Sequence, residues 1–274
     1  MINILAHAMT CKTFSPALDF AADLSVVLNA SLTGLYSAQI VVPMAVIDAP
    51  VFMNDVTEAL LVSRDNACAA GPAFTHWASG RGVGKCTWQV VEGVLDEALA
   101  IAGDWHDFVI LQSGAGSAWT SPDALGDLIV TIGHPCLIAP PDVASVARLQ
   151  CIAVAWNGSR GAVRAVHAAL PLLRRATRIV VFKPTADDSQ EGWNWHPPFD
   201  LEAYLASHGL RCSVEPFDAT DDEVGVALLE RAKDIAADMI VMGAYGRSRL
   251  SERMLGGATR HLLNHAHIPL FMCH

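Results

Sequence analysis

The stretch DMIVMGAYG, residues 238–246, decides the fold of the second part of this chain. It starts as a short apolar strand and ends in two glycines, Gly243 and Gly246. After nine further residues, a second glycine pair, Gly256 and Gly257, precedes a helical pattern. A strand, a glycine-rich loop and a helix in this order are typical of an α/β unit that binds a ligand at the carboxyl end of its strand.

Outward from this stretch, strands alternate with helices through the whole chain, and the order restarts near residue 150. DFVILQ from residue 107 matches DMIVMG from residue 238, and HPCLIA from residue 134 matches IPLFMC from residue 268. Such alternation predicts a parallel sheet with helices on both faces. We therefore predict a duplicated α/β domain, with one copy in residues 1–142 and the other in residues 150–274.

Composition excludes several classes of protein. The net charge is −10 and no run of Lys or Arg occurs, which disfavours a nucleic-acid or anionic-membrane partner. The most apolar stretch, residues 34–53, contains two prolines and an aspartate and is a poor membrane span. The seven cysteines are scattered and never spaced as CxxC, which disfavours a disulfide framework or a cysteine zinc site. Because the N-terminus lacks the pattern of a signal peptide, we expect a cytoplasmic protein.

The glycine-rich loop has the chemistry of a phosphate site. Glycine allows the backbone to approach a ligand closely. Free N–H groups at a helix N-terminus face an anion, and the helix dipole favours its negative charge. Thr259 would add a hydroxyl donor, and Arg247 and Arg249 would reach outer phosphates through charge-assisted hydrogen bonds.

These residues resemble the universal stress protein family, whose nucleotide motif is G-x2-G-x9-G-[ST]. The resemblance extends to AWNGS at residues 155–159 and to IPL at residues 268–270. It implies an α/β fold of two tandem Rossmann-like domains, of the adenine nucleotide α-hydrolase-like kind. Each would have a five-stranded parallel sheet, and the two would pair as a pseudo-dimer through their last strands.

The resemblance also implies a ligand, which is ATP, with or without Mg²⁺. Ala155 would line the adenine pocket, Asn157 would lie near ribose and base, and the glycines and Thr259 would hold phosphates and ribose. The residues implied for the site are Ala155, Asn157, Met242, Gly243, Gly246, Arg247, Gly256, Gly257, Ala258 and Thr259. Two departures weaken contacts: Gly257 replaces the Ser or Thr of the motif, and Asn157 replaces the carboxylate found in many members.

The first half lacks this loop. Gly114 and Gly116 form only G-x-G, and Pro122 stands where the second glycine pair would begin. We therefore predict one nucleotide site per chain, in the C-terminal half only.

Other motifs in the sequence are weaker indicators of function. Residues 80–85, GRGVGK, suggest a P-loop, but Ser79 stands at the required first glycine and the segment precedes a strand. His265, His267, His274 and Cys273 flank a strand or end the chain, so we predict a surface role and no metal site. The apolar residues 40–53 would pack over the sheet or, alternatively, form a partner surface or a ligand lid.

The resemblance implies a regulatory protein of the stress response. We expect no enzymatic activity beyond slow ATP hydrolysis, since no catalytic constellation stands out. ATP would fix the loop between Gly243 and Thr259 and so change a surface for a protein partner. The alternative is a nucleotide-independent interaction or dimerisation protein. A third hypothesis, an enzyme of the α-hydrolase type, is disfavoured because residues 157–160 lack a Ser-Gly-Gly loop. A homodimer stays open.

Overall fold

The computed structural model describes residues 1–38, 50–114, 117–119, 121–144, 146–185, 200–220, 223–244 and 256–274. For residues 50–57 and 59–60 it describes the backbone only. The chain divides into two compact units, Met1–Leu111 with Ala144–Ala147, and Gln112–Val143 with Arg148–His274. Within these ranges no helix combines the length and the apolar character that crossing a membrane requires.

Unit 1 is an α/β unit whose strands are all parallel, in the order β3-β2-β1-β4. Its central strand, β1, is buried over five of its six residues, because both of its edges pair with other strands. The elements are β1 (Asn3–Ala8), α1 (Pro16–Leu28), β2 (Ser31–Ala38), α2 (Pro50–Ala69), α3 (Gly71–Gly80), β3 (Lys85–Glu92), α4 (Leu95–Gly103) and β4 (Phe108–Gln112).

Local sequence explains where α1 begins and ends. The Ser15 hydroxyl accepts a hydrogen bond from the Leu18 N–H, and Pro16 stands at the first helical position, where its missing N–H costs nothing. Asn29 ends the helix in the left-handed conformation, with φ of 51°. The sequence predicts this cap and start, because a serine followed by a proline is a signal for a helix N-terminus, and the structure confirms both.

The segment after β2 corrects two predictions. The helical pattern of residues 57–79 predicts one helix, but two form, α2 and α3, and Ala70 separates them. Pro72 lies in the first turn of α3, because proline has no N–H to continue a preceding helix. The apolar stretch 40–53, predicted as a loop, is helical from Pro50 onward, while residues 39–49 lie outside the described residues.

Unit 2 is also an α/β unit, with the strand order β5-β10-β9-β6-β7-β8. All pairs are parallel except β5 with β10, which is antiparallel and aligns Leu270 with Ile138. The elements are α5 (Pro122–Ile132), β5 (Cys136–Ala139), β6 (Cys151–Ala155), α6 (Arg160–Leu173), β7 (Arg178–Lys183), α7 (Leu201–Ser207), β8 (Ser213–Pro216), α8 (Val224–Asp234), β9 (Met239–Gly243), α9 (Gly257–His265) and β10 (Leu270–Cys273). The α/β class and the pairing of the last strands are confirmed.

Equivalent hydrogen bonds occur in both halves of the sequence. Before β4, the Asp107 carboxylate accepts from the Asn3 N–H at 2.7 Å. Before β9, the Asp238 carboxylate accepts from the N–H groups of Gln150 and Cys151 at 2.8 and 2.9 Å. Each aspartate therefore ties the start of one strand to the start of its neighbour, which supports the duplication. The domain boundary at residues 142–150 stays a prediction, because compactness assigns α5 and β5 to unit 2.

Candidate functional site

The backbone is tightly packed where β9 ends. A Cβ on Gly243 would lie 2.6 Å from the Ala162 nitrogen and 2.8 Å from the Gly161 carbonyl carbon. A Cβ on Gly161 would in turn lie 3.1 Å from the Cys273 oxygen. These approaches leave no room for a side chain on Gly243 and make one on Gly161 crowded, so the first turn of α6 lies directly against the ends of β9 and β10.

The predicted residues at the strand ends lie side by side. Ala155 aligns with Met242 across the β6–β9 pair, and Gly243 aligns with Cys273 across the β9–β10 pair. Met242 is buried and Ala155 is half-buried. The parallel strands end at one edge of the sheet, which is where open α/β sheets bind their ligands.

Among the described residues, no side chain closes the N-terminus of α9. Gly256 is its N-cap and makes no side-chain capping bond, and a Cβ on Gly257 would meet no described atom within 4 Å. The first N–H groups of a helix have no partner within that helix. Since α9 leads through a short turn into β10, its N-terminus lies toward the carboxyl edge of the sheet. The arrangement therefore offers backbone donors to an anion.

Thr259 and Asn157 have roles that the motif did not reveal. Thr259 lies in the first turn of α9 and is 3% exposed, so its side chain is buried. Asn157 is exposed, and its side-chain oxygen accepts from the Ser159 N–H at 3.1 Å. This bond closes a turn in which Gly158 has φ of 68°. The Asn157 oxygen is therefore used within the turn, and its amide N–H₂ takes no part in that hydrogen bond.

Sequence reasoning missed three residues at this edge. The Ser159 hydroxyl caps α6 by accepting from the Ala162 N–H at 3.2 Å, and Gly161 permits the close approach described above. Asp218 accepts from both the hydroxyl and the N–H of Thr185. These two hydrogen bonds, the hydroxyl first, lower the pKa of the Asp218 carboxyl. A serine three residues before Ala162 is a capping signal in the sequence, whereas nothing local marks Asp218.

Gly246 and Arg247 lie outside the described residues, as does Arg249. Ala258 lies in the first turn of α9, half-buried, between Gly257 and Thr259. The structure therefore brings Ala155, Met242 and Gly243 together at the strand ends. It places Gly256, Gly257, Ala258 and Thr259 at the start of one helix.

The equivalent loop of the first half is closed by side chains. The Trp119 indole N–H donates to the Gln112 carbonyl, at the end of β4, over 2.7 Å. The Ser121 hydroxyl accepts from the Ala124 N–H at 3.1 Å, and Pro122 supplies no N–H at the first helical position. Backbone donors that no described side chain caps at α9 are thus capped or missing at α5.

The described residues hold no group of three or more histidine, cysteine, aspartate or glutamate side chains arranged to bind a metal ion. Cys273 is buried at the end of β10. His267 lies 3.5 Å from the Asp142 carboxylate, and both side chains are exposed. All seven cysteines are free thiols.

Comparison with known proteins assigns the second half of the chain to a family. The family model of the universal stress protein family matches residues 149–274. The C-terminal half is a universal stress protein domain. This match begins next to β6 and includes every residue of the candidate site.

The similarity to other universal stress proteins covers more of the chain than this domain. "Universal stress protein Slr1230" from Synechocystis sp. is 26% identical over 189 residues, which are 65% of this chain and 61% of the relative. A universal stress protein structure from Archaeoglobus fulgidus covers 99% of this chain and 95% of its own, with a TM-score of 0.68 and 15% identity. A putative universal stress protein from Pseudomonas aeruginosa covers 99% and 92%, with a TM-score of 0.57 and 15% identity. The whole chain thus has the fold of these structures.

Proposed function

We propose that the C-terminal half binds an adenine nucleotide, ATP before others, and acts as a regulatory module toward a protein partner. The observation that carries the proposal is the start of α9, where no described side chain caps the helix and a Cβ on Gly257 would meet no described atom within 4 Å. Backbone donors in such a position bind phosphate, because the helix dipole adds to their hydrogen bonds.

The rest of the edge supports a ligand larger than phosphate. The half-buried Ala155 gives an apolar contact suited to a base, and the exposed Asn157 amide gives a donor suited to ribose or base. The similarity to the universal stress protein family is the reason for proposing an adenine nucleotide as the ligand. Universal stress proteins solved in complex with cAMP and, from Arabidopsis thaliana, with AMP bound align with half of this chain at TM-scores of 0.35 and 0.33. The proposal for this chain rests on its own residues.

One site per chain is part of the proposal, because the first half has Trp119 and Ser121 where the sequence of the second half has its glycine-rich loop. A cytoplasmic location and the absence of enzymatic activity beyond slow ATP hydrolysis are also part of it. Binding would act on a partner by fixing the segment from Gly243 to Thr259 in one conformation.

Titration calorimetry of nucleotide-stripped protein with Mg-ATP tests the proposal. We expect about one ATP per chain, and at least about tenfold weaker binding in Gly257→Asp, because a carboxylate in the first turn of α9 repels phosphate. Gly257→Asn is the matched control, since it has the same shape without the charge. Both variants should fold, because the added Cβ meets no atom within 4 Å.

Two results would overturn the proposal. The first is no heat of binding at about 1 mM ATP, because such an affinity is too weak to matter at cellular nucleotide levels. The second is two equivalent sites per chain. Equal loss in the Asp and Asn variants would show that space, not charge, governs the site. ADP and AMP titrated beside ATP rank the number of phosphates bound.

The second candidate is a nucleotide-independent interaction protein. It is favoured by Gly257 in place of the motif's hydroxyl residue and by the use of the Asn157 oxygen within its own turn. Absence of ATP binding, with retained association with a partner, would select this candidate.

A further inference from the structure

Unit 1 contains a second cleft, far in sequence from the glycine-rich loop. It has a volume of about 500 Å³ and lies beside the carboxyl ends of β1 and β2 and the middle of α2. Its polar lining residues are Thr10, Cys11, Lys12, Tyr36, Ser63 and Asn66. Clefts of about 300–1,000 Å³ at the carboxyl edge of an α/β sheet are where small ligands bind.

The lining has the chemistry of an anion site. Lys12 contributes an ammonium group, and no aspartate or glutamate is among the described lining residues. Hydroxyls of Thr10, Tyr36 and Ser63 and the amide of Asn66 add neutral donors. The Thr10 hydroxyl oxygen accepts from the Lys12 N–H at 3.1 Å, which fixes the turn that carries the lysine. A single positive charge among neutral donors favours a small anion over a cation or an apolar ligand.

One wall of the cleft is held firmly. Tyr36 stacks on Trp88, with ring centroids 6.3 Å apart and ring planes 12° from parallel. The Trp88 indole N–H donates to the Ala67 carbonyl at 2.8 Å, which ties α2 to β3. Burial, and secondarily the nearby Cys11 thiol, raise the pKa of the Tyr36 hydroxyl. The hydroxyl therefore stays protonated at neutral pH and remains a hydrogen-bond donor.

We propose that this cleft binds a small organic anion, a carboxylate or a phosphate monoester, held by Lys12 and Tyr36. The site is separate from the nucleotide site of the C-terminal half and does not depend on it. Polyphosphate is a poorer occupant, since Lys12 is the one cation among the described lining residues. The equivalent loop of the first half is also closed by Trp119 and Ser121.

Fluorine NMR of the full chain labelled with 3-fluorotyrosine tests the two sites separately. The sequence has only three tyrosines: Tyr36 in the cleft, Tyr204 in α7 and Tyr245 in the glycine-rich loop. Tyr36→Phe assigns the first signal. The probes are benzoate, a carboxylate, and phenyl phosphate, a phosphate monoester. Neutral benzamide is the matched control, and ATP tests whether the cleft binds a nucleotide instead.

We expect a saturable shift of the Tyr36 signal with benzoate or phenyl phosphate and none with benzamide. Lys12→Met should weaken that binding about tenfold or more, because a charge-assisted hydrogen bond is lost. Lys85→Met, an equal charge change on an exposed residue at the start of β3, should leave it unchanged. No shift at about 10 mM of either anion, a concentration that detects even weak ligands, would overturn the inference. The inference would also be overturned if ATP shifted the Tyr36 signal and Lys12→Met weakened that shift as it weakens anion binding. If ATP fails to shift the Tyr245 signal, that result concerns only the nucleotide proposal.

Discussion

Two glycines of one motif, Gly243 and Gly257, are present for different physical reasons. A side chain at Gly243 would collide with backbone atoms of Gly161 and Ala162, which cannot move away singly. A side chain at Gly257 would meet no atom of the described residues within 4 Å, so no contact in that part of the chain requires glycine there. At the residue scale, the first glycine serves packing, and we propose that the second serves access for a ligand.

Gly243→Ala should lower the free energy of unfolding by roughly 2 kcal/mol, because the added methyl group overpacks a site walled by backbone. Gly257→Ala should leave that free energy unchanged or raise it slightly, since alanine is the better helix former. Urea denaturation of the two variants beside the wild type measures both effects. Equal midpoints for Gly243→Ala and the wild type would mean that α6 can move away from β9.

His7 gives the protein a predictable response to acid. Burial lowers its pKa from 6.5 to about 4 in the folded protein. The unfolded chain binds a proton near pH 6.5 and the folded chain does not, so stability falls as pH drops below 6.5 and stops falling below about 4. Between pH 7 and 5 the loss should be about 2 kcal/mol.

His7→Gln should remove this part of the pH dependence and leave the contributions of other groups. Urea denaturation at pH 7, 6 and 5 on both proteins gives the difference. Parallel curves for the wild type and the variant would show that His7 takes up a proton in the folded state.

At the scale of elements, α5 and α9 occupy equivalent places in the two halves but begin differently. α5 has a serine cap and a proline in its first turn, while α9 begins at glycine without a side-chain cap. The two helices also pack on each other, and the Arg260 guanidinium contacts the Asp123 carboxylate at 2.7 Å. This difference supports the proposal that the nucleotide binds in the second half only.

Ser121→Ala should lower the free energy of unfolding by about 1 kcal/mol, because the Ala124 N–H loses its acceptor. Ser121→Asp should keep the cap and therefore the stability. Thermal and urea denaturation report the change, and ATP binding measured in parallel should not differ between the two variants. ATP binding that falls with the cap would contradict the assignment of the nucleotide to the C-terminal half.

At the scale of the whole molecule, β10 is enclosed by two neighbours of opposite direction. It runs parallel to β9 and antiparallel to β5, and all four of its residues are buried. A strand that loses one neighbour exposes a row of unpaired N–H and C=O groups. The first half of the sequence therefore protects an edge of the universal stress protein domain.

A chain of residues 149–274 alone should associate with itself, because β10 then becomes an apolar edge strand that can pair with a second copy. Light scattering after gel filtration measures the mass, with the full chain as the reference. A well-folded monomer at about 100 µM, well above a typical micromolar dissociation constant, would show that β5 is not needed to cover this edge.

The sequence by itself determined the strand and helix order, the repeat, the caps of α1 and the glycine positions, because each is written in residues close together along the chain. It also predicted that the last strands pair, through the family resemblance. It missed the break between α2 and α3, and residues 245–255 of the candidate site lie outside the described residues. Only the tertiary structure decided that Gly161 lies against Gly243, that Trp119 closes the first-half loop and that Lys12 shares a cleft with Tyr36. The physical reason is that these contacts join residues from different elements, whose positions are set by packing of the whole sheet and not by local pattern.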